Sequence, residues 1–336
     1  MKLFFIGDLT LNAGASNVNK ELVKNLKDKD LLIVKSKNRF LKIIEYIFYT
    51  FMCDVILFSS LWESKILCKV AHLLNKKIIY LMHGCVNYES DLNGAYISKK
   101  TSDYEIDFLK KVDLIITVSE KYMNWVAERY PFTKDHIHYL NLGIDSENNV
   151  FCKKNKDITE IILSGGDRPQ KNNLIICKAV DELVEENNLK LKVKVCGDKI
   201  IDNNIFLNFK NSKYIGKLSI ENFYQELSNS NLYILNSELD SFGLSVIEAI
   251  NHGCDVLISN NSGVTSILDV TENDLIINTK DLNEIKSKIL YVIKNHNNER
   301  IKNKLDYEHY SWRNVSLRLY DICQAVYKNK NYADIK

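Results

Sequence analysis

The feature that most constrains this chain is an alternation that occurs twice. Five short apolar runs, LFFIGD (3–8), DLLIVK (30–35), DVILFS (54–59), KKIIYLM (76–82) and DLIITVS (113–119), are separated by stretches long enough for amphipathic helices. Runs of that length, rich in β-branched residues, predict parallel strands joined by crossover helices. After a polar, lysine-rich stretch near 146–157 the pattern restarts with EIILSGG (160–166), KVKVCGD (192–198), NLYILNS (231–237), CDVLISN (254–260) and DLIIN (274–278). Two α/β domains are therefore expected, over residues 1–150 and 151–310. The segment SWRNVSLRLYDICQAVY (311–327) has helical apolar spacing and no strand after it. Residues 311–336 are expected to form a helix that packs back toward the N-terminal domain and straps the two domains together.

Size and composition agree with this division. A chain of 336 residues exceeds what one hydrophobic core usually serves. Hydrophobic residues at 46%, charged residues at 26% and only two prolines predict a folded chain without long linkers. The formal net charge of +2 gives no field that would attract nucleic acid, so any basic function must be local. The eight cysteines are scattered and none is spaced C-x-x-C, which predicts buried apolar thiols in a reducing cytoplasm rather than a metal or redox site. The apolar start of the chain is interrupted by Asp8, too early for a signal-peptide core, and reads as a first strand. Lys42, Glu45 and Asp54 interrupt the most lipid-like segment, residues 40–58, short of the ~20 apolar residues a spanning helix needs.

Small, polar and charged residues gather where the apolar runs end, in GD, HG, SGGD and SELDSFG. In open α/β sheets that edge binds ligands, and two such domains facing each other would line one cleft with these loops. The densest case is SELDSFGLSVIEAINHG (237–253), with Asp240 and Glu248 on either side of a glycine turn. Ser245 and Glu248 have the spacing of a capping box, which predicts a helix from about Ser245, ended by Gly253. The backbone N–H groups of Phe242, Gly243, Leu244 and Ser245 would then face a phosphate at the helix N-terminus. Carboxylates repel phosphate, so Asp240 and Glu248 are better suited to sugar hydroxyls on either side of a diphosphate. A nucleotide sugar offers both sets of hydroxyls.

The stretch D-S-F-G-L-S-V-I-E-A resembles the E-x7-E signature of the retaining GT-B glycosyltransferases of the family 4 type, with Asp240 in the place of the first Glu. The resemblance implies that Glu248 binds the nucleotide ribose, that Asp240 contacts the donor sugar, and that the intervening amides hold the diphosphate. SGGDRPQKNN (164–173) is similar to the family's glycine loop, which assigns Gly166 to the donor and Arg168 and Lys171 to its diphosphate. His83 and Gly84 resemble the family's histidine near the donor sugar. GASNVNKEL (14–22) is placed like its first-strand glycine loop, with Gly14 facing phosphate and acceptor. DLIITVSE, LNLGID and part of SGVTSIL (262–268) extend the likeness over nearly the whole chain. Implied are a GT-B fold, a nucleotide-diphosphate sugar as donor, a glycan or lipid-linked saccharide as acceptor, and hexosyl transfer with retention, without metal or other cofactor. Surface polysaccharide biosynthesis is the process in which such relatives commonly act.

Acceptor residues are expected in the first domain's loops, within CVNYESDLNGAYISKK (85–100). Residues 34–52 mix Lys35, Lys37, Arg39 and Lys42 with aromatics, as does a helix resting on an anionic membrane; the plain alternative is a helix packed on the first sheet. Other readings share the architecture. One is a catalytically silent GT-B module binding glycan or a partner glycosyltransferase; another is a nucleotide-sugar epimerase, which would need an acid and a base that the sequence does not single out.

Overall fold

The structure, a computed structural model, describes residues 1–11, 14–93, 99–145, 154, 157–199 and 204–335. The chain divides into two compact units, Met1–Asp145 with Tyr307–Lys336, and Ser146–Asp306. The breaks fall a few residues before the expected 150 and 310. Most of the lysine-rich stretch lies outside the described residues.

In the first unit β1 (Leu3–Ile6), α1 (Gly14–Asn25), β2 (Leu31–Leu32), α2 (Arg39–Met52), β3 (Val55–Phe58), α3 (Leu61–Leu73), β4 (Lys77–Met82), α4 (Val86–Asn93), α5 (Lys99–Leu109), β5 (Leu114–Thr117), α6 (Glu120–Arg129) and β6 (Ile137–Tyr139) follow one another. Its six strands are parallel in the order β2-β1-β3-β4-β5-β6. The second unit contains β7 (Thr159–Ser164), α7 (Asn173–Asn187), β8 (Leu191–Cys196), β9 (Ser212–Gly216), α8 (Ile220–Asn229), β10 (Leu232–Leu235), α9 (Leu244–Asn251), β11 (Asp255–Ser259), β12 (Leu275–Ile276), α10 (Leu282–Asn295) and α11 (Asn298–Lys302). This sheet is also parallel, ordered β12-β11-β10-β7-β8-β9. Both are Rossmann-like, and each has a point where the strand order reverses: between β1 and β3 in one, between β7 and β10 in the other.

The strands read as continuous apolar runs because helices cover both faces of a parallel sheet. β1, β3, β5 and β10 are buried at every position. The last helix, α12 (Trp312–Tyr327), starts at Ser311, whose side chain accepts from the Asn314 N–H at 3.3 Å. It packs against α1, β3 and β4 of the first unit. Ile144 is bridged to Ser311, and its N–H donates to the Tyr310 carbonyl at 2.8 Å, so the two separated segments of this unit are stitched together at the entry to α12.

Candidate active site

In the second unit the reversal point sets the loops after β7 and β10 side by side. Gly166 turns the chain at the end of β7 with φ +63°, and a Cβ there would stand 1.9 Å from the Asp198 carbonyl oxygen. The buried Asn173 amide fixes this loop by donating to the carbonyls of Ser164 (3.0 Å) and Gly166 (2.7 Å). Pro169–Lys171 then form one 3-10 turn. Gln170 ties that turn to the neighbouring loop: its side chain donates to the Leu239 carbonyl at 2.7 Å and its own carbonyl accepts from the Glu238 N–H at 2.9 Å. Two loops locked in this way bring the Lys171 ammonium to 2.6 Å from the Asp240 carboxylate, with side chains only 17% and 14% exposed. Asp240 is steadied from its far side, where its carbonyl accepts from the Gly263 N–H at 3.0 Å.

The helix after Asp240 begins differently from expectation. Phe242 is buried, and Gly243 adopts φ +99°, a left-handed conformation costly to any other residue, so α9 starts at Leu244 with Gly243 as its N-cap. Ser245 is thereby inside the first turn, and the expected Ser245–Glu248 capping box does not form. The Ser245 hydroxyl instead accepts from the Tyr233 hydroxyl at 2.7 Å, which also lies 2.6 Å from the Ser164 Oγ, linking β7, β10 and α9. Glu248, one turn into the helix, accepts from the Tyr224 hydroxyl at 3.3 Å, and the Tyr224 ring stacks on His252 at 4.6 Å. Gly243, as N-cap, has no side chain to offer α9, whose first N–H groups point to the same strand edge as Lys171 and Asp240.

Arg168 is not drawn into this group. Its guanidinium lies 3.7 Å from Asp198, which also pairs with Lys217 at 3.1 Å, all at the surface. Exposed pairs of this kind hold a side chain weakly, so Arg168 can leave Asp198 for a stronger anion at little cost.

In the first unit a second polar cluster forms at the corresponding edge. Asp8, just past β1, accepts from the Ser16 hydroxyl (2.6 Å) and from the Thr10 N–H (2.9 Å) and hydroxyl (2.7 Å). Burial acts to raise its pKa, but these hydrogen bonds outweigh it and hold the carboxyl at about 2. Gly14, the first residue of α1, has open space where a side chain would begin. The buried Asn19 amide donates to the Asp8 carbonyl at 3.1 Å, which turns its oxygen toward the Ser59 hydroxyl (2.7 Å) and His83 Nε2 (3.2 Å). His83 Nε2 also lies 2.9 Å from the Ser59 Oγ; with the Ser59 proton given to the Asn19 oxygen, which can only accept, the arrangement suits a proton on Nε2 and a lone pair on Nδ1. Burial lowers the His83 pKa to about 4, so the ring is neutral at ordinary pH.

Glu105 of α5 is fully buried beneath the start of α4, where the Cys85 thiol also lies 3.6 Å from it. It accepts from the Val86 (3.1 Å) and Asn87 (2.8 Å) N–H groups that open α4. Burial raises its pKa to about 7 against the lowering effect of those bonds. Glu105 holds a proton that the unfolded chain releases above its ordinary 4.5, so its stabilising contribution is complete below that pH and lost as pH rises through about 7. His83 has the opposite sign: its contribution is complete above its ordinary 6.5 and lost as pH falls toward about 4. From about pH 5 to about pH 8 the Glu105 contribution falls and the His83 contribution rises, each by about 2 kcal/mol, so that the two changes nearly cancel. In Glu105→Gln, stability should rise over that interval; in His83→Asn it should fall. Urea unfolding at several pH values checks this, and parallel profiles for the two variants would refute it.

The sequence singled out Lys171, Asp240 and Glu248, and the structure gathers the first two and sets the third on the helix beside them. It missed Gln170, Asn173, Tyr233 and Tyr224, whose roles depend on contacts between distant segments. Asp8 and Ser59 had a signal, since both stand at strand ends of the ligand-binding edge. Residues 94–98 of the expected acceptor segment lie outside the described residues.

The two units correspond to two known sequence families. Residues 17–148 match the model for Glycosyltransferase Family 4, and residues 146–308 match that for Glycosyl transferases group 1. The chain belongs to the GT-B glycosyltransferases represented by these two models. An uncharacterized glycosyltransferase of Methanocaldococcus jannaschii is 24% identical to it over 318 residues, covering 87% of this chain and 79% of that one. Sucrose-phosphate synthase from Thermosynechococcus elongatus shares the fold with a TM-score of 0.74 at 12% identity, over 98% of this chain and 100% of its own. The Anabaena protein HepE, solved with UDP and glucose, gives a TM-score of 0.70 at 11% identity, over 97% and 100% of the two chains. HepE has also been solved with UDP-glucose.

Proposed function

We propose that this glycosyltransferase moves a hexosyl group from a nucleotide-diphosphate sugar to a glycan or lipid-linked saccharide, with retention of anomeric configuration, in surface polysaccharide assembly at the cytoplasmic face of a membrane. The observation that carries the reading is the Lys171–Asp240 pair at the reversal point of the second sheet, beside the start of α9 at Gly243. A diphosphate entering there meets one ammonium and a helix N-terminus, and it competes with Asp240 for Lys171. Asp240, once released, can accept from a hydroxyl of the transferred sugar. Glu248 serves the ribose, Arg168 adds charge at the loop's edge, and the amides of Phe242, Gly243, Leu244 and Ser245 with the close-packed Gly166 shape the phosphate seat. His83 offers Nδ1 to a sugar hydroxyl, and Gly14 leaves room for phosphate or acceptor. The HepE complexes make UDP-sugars the first donors to try.

In the transfer step the bond from the anomeric carbon to the diphosphate oxygen breaks while the acceptor oxygen bonds to the same carbon from the same face. The acceptor proton passes to the departing diphosphate. Lys171 and the amides stabilise the charge that develops there, the role for which fixed donors are most effective. We assign this neutralisation to the protein's own groups, without a metal.

Calorimetry and slow donor hydrolysis across UDP-, GDP- and dTDP-sugars test the reading. One donor should bind and turn over. Asp240→Asn should bind the free nucleoside diphosphate at least as tightly as the parent, because Lys171 is released, yet hydrolyse the donor at least about tenfold more slowly. Absence of binding by every donor would instead favour the silent module.

A further inference from the structure

Helix α2 is built inside out. Its contact with the first sheet is made by Tyr46 and Tyr49, whose rings lie 6.2 and 5.5 Å from that of Phe4, and Thr50 is the only buried residue of the helix. Tyr46 also reaches Glu63 of α3 at 3.3 Å. The residues a helix normally buries face outward: Phe40, Phe48 and Phe51 are 70%, 56% and 58% exposed, and Ile43, Ile44 and Ile47 lie bare among them. The neighbouring α3 adds Trp62, Ile66 and Leu73, the most exposed of all at 72%, 73% and 84%. Scattered apolar residues on a surface are ordinary, but a continuous face on two adjacent helices marks something that covers it.

Charge selects the occupant. Lys35, Lys37 and Arg39 are exposed at the N-terminal end of α2, and Lys42 lies over the Tyr46 ring at 5.6 Å. The one acid of the helix, Glu45, is turned onto the preceding loop, where it accepts from the Lys35 N–H at 2.8 Å and the Ser36 hydroxyl at 2.6 Å. What remains is an apolar face with a cationic end and no exposed acid on the helix. A second copy presents no exposed acid on this helix to pair with those cations, whereas anionic headgroups complement them. The fourteen residues of α2 span roughly 21 Å, too short to cross a bilayer, and no helix among the described residues is long and apolar enough to do so.

We propose that α2 and the exposed stripe of α3 form a docking face that lies in the headgroup layer of an anionic membrane, its phenylalanines and isoleucines in the acyl boundary and its basic end among the phosphates. Docking of this kind would hold the first unit against the surface that carries a lipid-linked acceptor, but the face stands on its own residues and does not depend on the chemistry of transfer.

The test is sedimentation of the full-length protein with vesicles of phosphatidylcholine alone and of phosphatidylcholine mixed with phosphatidylglycerol. The protein should pellet with the anionic vesicles and only weakly with the neutral ones. Replacing Lys35, Lys37 and Arg39 together by serine should lower partitioning by about a hundredfold, and Phe48→Ser alone by at least about tenfold, without change in melting temperature. Leu207→Ser, at a still more exposed position in the second unit, should have no effect. Failure to pellet with anionic vesicles would overturn the proposal. So would a dimer in light scattering that Phe48→Ser converts to monomer, since the face would then belong to a second copy.

Discussion

Lys171→Ala should lower donor turnover by about two to three orders of magnitude, the usual cost of removing a fixed charge from a developing oxyanion. Glu248→Ala should act differently. In the proposed ribose role its carboxylate serves the nucleotide rather than the reacting bond, so the loss should fall on donor affinity, by about a hundredfold, with turnover at saturation largely kept. Tyr224→Phe is the control, because it removes the hydroxyl that donates to Glu248 while leaving the ring to stack on His252. Its affinity should lie between those of the parent and Glu248→Ala. Calorimetry with the bound donor, together with saturation kinetics, separates the two effects. Should Glu248→Ala bind donor as tightly as the parent, the ribose role is wrong, whatever happens to Lys171.

Gly166→Ala should destabilise the second unit by about 3 kcal/mol or more. The left-handed φ costs an alanine about 1 kcal/mol, and the new methyl meets a backbone oxygen that no rotamer change can move aside. Gly216 supplies the comparison: its φ is +87°, but open space surrounds its missing side chain, so Gly216→Ala should incur the conformational cost alone. For a unit of this size the two variants should lose about 10 °C and about 3 °C of melting temperature. Equal losses would mean that the close approach of the β7 and β8 loops relaxes freely and does not position Lys171.

Ten of the twelve strands among the described residues were legible as apolar runs, because a strand covered on both faces needs no polar alternation and stands out against its helices. The other two were not: β6 is three residues long, and β9, SKYIG, carries a lysine and little continuous apolar surface. The start of α9 was misplaced by one residue for a related reason. Local spacing favoured a Ser245–Glu248 cap, whereas the burial of Phe242 and the left-handed Gly243 are decided by what the loop packs on. Lys171 and Asp240 could be named from the chain, but the bond between them could not. It is made by Gln170 and Asn173, ordinary amides whose carbonyl partners are known only once β7 and β10 stand side by side. The basic and apolar character of residues 34–52 was equally plain, yet only the fold reveals that the tyrosines of α2 face inward and its phenylalanines outward.

The division of the first unit into two chain segments governs the order in which the protein can be completed during vectorial synthesis. Residues 1–145 leave the ribosome first, but the seat of α12 on α1, β3 and β4 stays empty until the entire second unit has been made. Trp312, Val315, Leu319 and Ile322 are among the side chains that α12 buries when it docks. The continuous second unit, with its own core, can close as soon as it emerges, while the segment translated earliest is the last to finish folding. During that interval the nascent first unit exposes its unfilled α12 seat as well as the outward face of α2, so that the period of greatest risk of aggregation comes before the C-terminal helix docks.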